Sequence, residues 1–314
     1  MDGHSARSIH RALMSLVALA SVALVAAMFA SGAQARTVAA THNASPTSTL
    51  PKPPITPGSN YLALGDSVTF GYVEPNSVPT PDYSNASNFV GFPEDLASDL
   101  SINVANAACP GETSSSLIND TLQSNGCETQ PGGGPGYRAA YPLHVSYAAS
   151  QLRYGLKYLK TTPDVRLVSL MIGANDYFLC QETTPDQCQS ASEQDAVFAT
   201  LKHNLKDILS HIRRYYHGQL VVVDYYAPSS ALDGLTEVSD AFENRVVAPY
   251  HVEIADGFGA FQQAEAAAGT PDDPCAAGLL TVLSSGGCGI HPSAAGQTVL
   301  TQAIEKVVQT APQQ

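Results

Sequence analysis

Ser67 follows an apolar run in YLALGDSVTFGY, residues 61–72, at a point where a strand would pass into a helix. A serine hydroxyl placed there can act as a nucleophile, and the serine N–H at a helix N-terminus can donate to a developing negative charge. The pattern differs from the G-x-S-x-G nucleophile elbow because position 69 is Thr. Taken alone, Gly-Asp-Ser is equally consistent with a helix cap made by Asp66 or Ser67.

Three later blocks carry residues that could assist a serine. Gly111 lies in NVANAACPGETSSSL, where a glycine lets the backbone N–H approach a ligand closely. Asn175 lies in LMIGANDYF and can aim an amide at an oxyanion, whereas Asp176 beside it would simply anchor the loop. His291 lies in GCGIHPSAAGQ, and an imidazole can take the proton of a serine. For each residue alone, an ordinary turn or surface position is the alternative.

The elements that must position these residues alternate between strands and helices. RLVSLMIG and QLVVVDYY are almost continuously apolar, which is typical of strands buried on both faces. The predicted strands are 60–64, 102–107, 165–172, 219–226 and 251–255, and the predicted helices are 147–160, 192–216 and 293–310. This order predicts one α/β domain around a parallel sheet, with ligands beyond the carboxyl ends of the strands. Long loops are predicted over 74–95, 109–145 and 178–191.

The N-terminal 35 residues have the order of a secretory signal. Arg7 and Arg11 precede an apolar run over 12–30, and small residues at Ala33 and Ala35 fit a cleavage site. We therefore predict an exported protein with a signal peptide over 1–35, a Pro/Thr/Ser-rich flexible lead-in over 36–58 and one folded domain over 59–314. An uncleaved membrane anchor is the alternative for the first segment.

Charge and cysteine content narrow the class of partner further. The formal net charge of −13 becomes −14 once the two arginines and one aspartate of residues 1–35 are removed, which argues against nucleic acid or an anionic membrane. Six cysteines in an exported chain predict disulfides, and pairing of sequence neighbours gives Cys109–Cys127, Cys180–Cys188 and Cys275–Cys288. The chain has no C-x-x-C pair, so we expect no metal site.

Taken together, the four blocks resemble the SGNH (GDSL) hydrolases. GDS with Ser67, then Gly111, GAND with Asn175 and HP with His291 occur in the order of that family, across most of residues 60–305. The resemblance implies a flavodoxin-like three-layer α/β/α sandwich and esterase or lipase activity on a small-molecule or lipid ester, without a cofactor. It also implies Ser67 as nucleophile, His291 as general base and an oxyanion hole formed by the Ser67 N–H, the Gly111 N–H and the Asn175 side chain. We expect a monomer.

One position departs from the family pattern. The family usually has Asp three residues before the histidine, where this chain has Cys288. We therefore predict that a main-chain carbonyl, of Cys288 or Gly289, orients the imidazole of His291. The alternative is a distant carboxylate, for which the candidates nearest before the histidine are Asp256, Asp272 and Asp273. An acyltransferase with the same acyl-enzyme and a non-catalytic exported binding protein with a degenerate site are the alternative functions.

Overall fold

The computed structural model describes residues 52–312. The predicted signal peptide and most of the predicted lead-in lie outside the described residues. Within residues 52–312, every helix is too short or too polar to cross a membrane.

A parallel sheet of five strands lies at the centre of the fold. Its strands are β1 (Asn60–Gly65), β2 (Asn103–Asn106), β3 (Val165–Met171), β4 (Gln219–Val223) and β5 (Glu253–Ala255). The strand order is β2-β1-β3-β4-β5, the flavodoxin-like order. All five predicted strands are confirmed, although β4 ends at Val223 and the following Asp224, Tyr225 and Tyr226 leave the sheet.

Helices cover both faces of this sheet. Between residues 52 and 312 they are α1 (Ser67–Phe70), α2 (Phe92–Leu100), α3 (Ser114–Ile118), α4 (Tyr137–Ala140), α5 (Gln151–Thr161), α6 (Ala174–Thr183), α7 (Ala191–Tyr215), α8 (Asp233–Val247), α9 (Gly257–Ala267) and α10 (Ala294–Glu305). Because successive side chains of a strand point to opposite faces, Tyr61 and Ala63 of β1 pack with α2, α9 and α10, whereas Leu62 and Leu64 pack with α5 and α7. The three-layer sandwich is confirmed.

The predicted helices occur with shifted ends, and the predicted loops contain further helices. α5 begins at Gln151 behind the cap Ser150, and α10 ends at Glu305 rather than at residue 310. The segment 178–191, predicted as a loop, begins within α6, which continues to Thr183. The buried residues of α6 are the polar Asn175 and Asp176, so its sequence lacks the apolar periodicity that would reveal a helix.

A small antiparallel sheet lies outside the central one. It consists of β6 (Leu280–Val282) and β7 (Cys288–Pro292), so His291 lies on a strand, although the sequence around it is rich in glycine. The three predicted disulfides, Cys109–Cys127, Cys180–Cys188 and Cys275–Cys288, are confirmed. The last of them joins the N-terminal end of β7 to the segment that precedes β6.

The folded part of the chain begins earlier than the predicted boundary at residue 59. Ile55 is buried, its N–H donates to Gln309 O over 2.8 Å, and its carbonyl accepts from the Ala311 N–H over 2.8 Å. Lys52 Nζ lies 2.8 Å from Glu253 Oε1. Residues 52–58 therefore pack against the domain. The sequence does not predict this packing, because the segment is rich in proline and its single buried apolar side chain, Ile55, produces no periodic pattern.

Candidate active site

Ser67 lies where β1 passes into α1, beside the end of β3. The order of strands reverses here, since β1 connects outward to β2 and the chain then returns to β3 on the other side. Asp66 caps α1, with Oδ1 accepting from the Val68 N–H over 3.0 Å. Both alternatives from the sequence thus occur together: Asp66 is the cap, and Ser67 faces a cleft at the carboxyl edge of the sheet.

A continuous hydrogen-bonded relay connects Ser67, His291 and Glu74. Ser67 Oγ lies 2.9 Å from His291 Nε2, and His291 Nδ1 lies 2.8 Å from Glu74 Oε1. An imidazole held by a carboxylate at Nδ1 has Nε2 free to accept the serine proton, which is the geometry that activates a serine. The structure brings Ser67 and His291 together as the sequence predicts, and it adds Glu74.

The surroundings of Glu74 keep its carboxylate charged and fixed. Glu74 Oε1 also accepts from the Ile290 N–H over 2.9 Å, and Oε2 accepts from Thr281 Oγ1 over 2.5 Å. Burial alone would raise the pKa of Glu74, but the hydrogen bond to His291, the charge of His291 and the Thr281 hydroxyl outweigh it and lower the pKa to about 2. Glu74 therefore carries its charge at neutral pH.

Glu74 corrects the prediction that a main-chain carbonyl of Cys288 or Gly289 orients His291. Two of the three alternative acids bind backbone N–H groups elsewhere: Asp256 caps α9 by accepting from the Gly259 N–H, and Asp273 accepts from the Ala276 N–H. Glu74 and His291 are 217 residues apart, so no local motif joins them. One sequence feature indicates Glu74 weakly: it is the first acid after Ser67, in the loop that follows α1.

Two backbone N–H groups at the cleft are free to bind a ligand. Within residues 52–312, neither the Ser67 N–H nor the Gly111 N–H donates to a protein acceptor, and both residues line the cleft. Gly111 has φ +82°, and a Cβ there would lie 2.5 Å from Asn125 O. A side chain at position 111 would therefore push the two loops apart, so glycine is needed for this close approach.

The amide of Asn175 is oriented by neighbours on both sides. Its Oδ1 accepts from Asn125 Nδ2 over 2.9 Å, and its Nδ2 lies 3.3 Å from Asp66 Oδ2. The Nδ2 group has a second hydrogen, and Asn175 lines the same cleft as Ser67. Asp176 anchors the adjacent loop, as the sequence suggests, by accepting from the Ser114 N–H over 2.8 Å and from the Ser114 hydroxyl over 2.5 Å.

The cleft that contains these groups has a volume of about 780 Å³ and is mainly apolar. Part of its wall is aromatic, with Tyr72, Tyr83, Tyr137 and Tyr141. Other apolar lining residues lie on or next to α6, α7 and α8, and they are Phe178, Val197, Phe198, Leu201, Leu232 and Leu235. A mainly apolar cleft with a few convergent polar groups is typical of a small-molecule site.

The sequence was compared with models of known protein families, and one family matches. Residues 63–299 match the model of the GDSL-like lipase/acylhydrolase family. The chain belongs to this family. The match spans α1 with Ser67, the loop with Gly111, the helix with Asn175 and the strand with His291. Hydrolase chemistry of the esterase and lipase type therefore follows for this family member.

Three solved structures are similar to this GDSL family member. LAE5, an α/β hydrolase enzyme from the metagenome of Lake Arreo, Spain, is 16% identical with a TM-score of 0.50, over 80% of this chain and 95% of LAE5. Phospholipase A1 from Streptomyces albidoflavus is 20% identical with a TM-score of 0.48, over 80% and 100%. Axe2, an acetylxylan esterase from Geobacillus stearothermophilus, is 17% identical with a TM-score of 0.49, over 80% and 94%. A comparison with curated proteins finds no match.

One wall of the cleft carries buried acids that the sequence analysis missed. Asp240 and Glu243 lie one turn apart on α8 and line the cleft, and Asp224 follows β4 nearby. Within residues 52–312, Asp240 Oδ2 and Asp224 Oδ1 lack a hydrogen-bond partner. Burial and the charge of Asp224 raise the pKa of Asp240 to about 8, and burial raises the pKa of Asp224 to about 6. Asp240 and Glu243 belong to an amphipathic helix, where sequence alone predicts exposed acids.

We expect Asp240→Asn to stabilise the GDSL family member by about 5 kcal/mol more at pH 8 than at pH 4. A carboxyl whose pKa is higher in the folded state binds its proton more tightly there. Its contribution to stability is therefore present at pH 4 and is lost as the pH rises through 8. Urea unfolding at pH 4 and pH 8 measures the effect, with the exposed Asp195→Asn as control. An equal change at both pH values would contradict the raised pKa.

Proposed function

We propose that this protein is a secreted serine hydrolase that cleaves carboxylic esters through an acyl-serine intermediate. The observation that carries the proposal is the relay from Ser67 Oγ through His291 to Glu74, with distances of 2.9 and 2.8 Å, inside an apolar cleft. A complete relay also removes the reason to regard the site as degenerate, which weakens the alternative of a non-catalytic binding protein.

The first half of the proposed reaction forms the acyl-enzyme. Ser67 Oγ attacks the carbonyl carbon of the ester while His291 Nε2 takes the hydroxyl proton, and Glu74 stabilises the resulting imidazolium from Nδ1. The carbonyl oxygen becomes an oxyanion, which the N–H groups of Ser67 and Gly111 and the Nδ2 group of Asn175 are placed to bind. The tetrahedral intermediate then collapses: the bond to the alcohol oxygen breaks, and that oxygen receives the proton from Nε2.

The second half regenerates the serine. A water molecule loses a proton to His291 Nε2 and attacks the acyl carbon, so that the same three donors bind a second oxyanion. The bond between the acyl carbon and Ser67 Oγ breaks, the serine takes the proton back from Nε2, and the carboxylic acid leaves. Each proton that His291 accepts is returned within the same half-reaction, so the cycle needs only water and the ester.

Export of the protein is supported by two independent features. Three disulfides close loops of the domain, which fits an oxidising compartment. The segment 1–35 has the order of a secretory signal in the sequence. We therefore include secretion in the proposal, and N-terminal sequencing of the protein recovered from culture medium tests it.

Two measurements on the purified protein test the proposed chemistry. Release of p-nitrophenol from a short-chain p-nitrophenyl ester reports hydrolysis, and a fluorophosphonate forms a stable adduct with an activated serine. Peptide mapping should then find the adduct on the peptide that contains Ser67. Hydrolysis without an adduct on this peptide would mean that another group is the nucleophile.

We expect Asn175→Ala to lower kcat by roughly 10²–10³ with little change in KM. The amide acts on the oxyanion, which exists in the transition state and not in the bound ester, so its loss affects the rate more than binding. Steady-state kinetics with a soluble ester measure both parameters. Asn103→Ala, at the opposite edge of the sheet, is the control. A change confined to KM would show that Asn175 only binds the ester.

A further inference from the structure

Apolar side chains are exposed around the mouth of the cleft. Val78, Tyr141, Val282 and Ile290 have exposed fractions of 59%, 42%, 54% and 49%. Tyr141 and Ile290 line the cleft itself. Val282 lies on β6, beside the strand that carries Ile290, and its carbonyl accepts from the Val78 N–H over 2.8 Å. These four residues, which we call the apolar collar, therefore lie on connected segments at the entrance to the site.

The segments that form the collar are nearly free of charge. Residues 75–92, 129–149 and 279–293 contain only Asp82 and Arg138 among their Asp, Glu, Lys and Arg residues, whereas the whole chain has 15 Lys or Arg and 28 Asp or Glu. Arg138 is paired with Glu128 over 3.0 Å. The acidic charge of the protein is thus carried elsewhere, and the collar is a neutral, apolar zone of an otherwise acidic molecule.

An aromatic wall connects the collar to the catalytic relay. The ring of Tyr141 lies 5.1 Å from that of Tyr83 and 5.2 Å from that of Tyr137. Tyr72 packs against both Tyr83 and Tyr137, and its ring lies 4.9 Å from His291. An apolar chain that enters through the collar therefore meets apolar surface along its whole path to Ser67. Tyrosine also suits a boundary between apolar and wet surroundings, because its ring is apolar and its hydroxyl is polar.

We propose that the apolar collar docks on the surface of a zwitterionic lipid assembly and that the ester enters the cleft directly from it. Contiguous exposed apolar side chains mark a binding surface for a protein or a membrane. The collar offers no charges with which to select a charged partner, and the acidic remainder of the protein repels an anionic bilayer. A zwitterionic surface has no net charge, so it suits the uncharged collar and does not repel the acidic remainder of the protein. Docking goes beyond the proposed catalysis, since it does not require Ser67 to react.

Binding to vesicles tests the proposal independently of turnover. The Ser67→Ala variant is mixed with phosphatidylcholine vesicles, or with vesicles of phosphatidylcholine and phosphatidylglycerol, and then sedimented. We expect it to bind the first more strongly. Added Val78→Asp or Val282→Asp should each weaken binding about tenfold, since burial of one valine changes a partition constant by roughly that factor. Tyr215→Asp, at the far end of α7, is the matched control and should bind as before.

A second measurement covers the case in which an aspartate variant fails to fold. The chain contains no tryptophan, so Val282→Trp introduces a single fluorescent reporter. Its emission should shift to shorter wavelength when vesicles are added, whereas the emission of Tyr215→Trp should not. No sedimentation with phosphatidylcholine, stronger binding to the anionic vesicles, or an unshifted Val282→Trp emission would each overturn the proposal. A dimer in solution that dissociates on Val282→Asp would instead assign the collar to contact between copies of this chain.

Discussion

Ser67→Ala is expected to lower kcat for a soluble ester by about 10⁶. The methyl group has no oxygen to attack the carbonyl carbon, so covalent catalysis is lost while the oxyanion donors and the cleft stay in place. The residual rate should come from these donors acting on attack by water. Initial rates with a p-nitrophenyl ester, measured at high protein concentration, give the loss, and the exposed Ser192→Ala on α7 serves as control.

The same experiment shows whether Ser67 and His291 act as one unit. Because the base has no function without the nucleophile, Ser67→Ala combined with His291→Ala should be about as slow as Ser67→Ala alone. Losses that multiply in the double variant would argue against a shared step. A Ser67→Ala protein that keeps more than about a hundredth of the rate would remove Ser67 from the mechanism.

Glu74→Gln is expected to lower kcat by about 10³–10⁴. The carboxylate accepts the Nδ1 hydrogen of His291 and so leaves Nε2 as the acceptor that faces Ser67. An amide is nearly the same size but carries no charge, and its NH₂ group can donate to Nδ1 and favour the wrong tautomer. The imidazolium formed during the reaction also loses its counter-charge. Steady-state kinetics of the Glu74→Gln and Glu74→Asp variants measure the effect, and Glu74→Asp should be the faster.

The matched control for Glu74→Gln is Asp272→Asn. Asp272 is an acid that the sequence offers before His291, and its φ of +62° is one that Asn tolerates well. We expect this variant to lose less than about tenfold, on the scale of an acid outside the relay. If Asp272→Asn were the slower of the two variants, the assignment of Glu74 would be wrong. Thermal unfolding of both proteins distinguishes loss of rate from loss of fold, since Glu74 also binds the backbone of β7.

The strands of the central sheet can be predicted from the sequence because their burial leaves a recognisable apolar pattern. A strand buried on both faces must be apolar along its length, so β1 and β3 are visible as runs, and the polar residues that follow them stand out. Ser67 and Asn175 are two of these polar residues. α6 is the counter-example, because a helix that buries Asn175 and Asp176 at a site has no apolar stripe.

The contact between Glu74 and His291 cannot be predicted from the sequence. Its partner lies 217 residues away, and the contact depends on the hairpin of β6 and β7 folding back over the loop after α1. A backbone bridge between Ser77 and Leu283 ties the two segments together. Such a contact follows from tertiary packing, which neither residue type nor spacing encodes locally. The predicted orienting group, a main-chain carbonyl of Cys288 or Gly289, is therefore wrong, and Glu74 takes that place.

The separation of 224 residues between Ser67 and His291 also has a consequence while the chain is being synthesised. Synthesis runs from the N-terminus, so the serine and Glu74 emerge long before the strand that brings the imidazole. Under the proposed mechanism, a nascent or truncated chain that stops before β7 lacks the base for Ser67. We therefore expect such a chain to be inactive on esters until β6 and β7 have folded over the loop after α1.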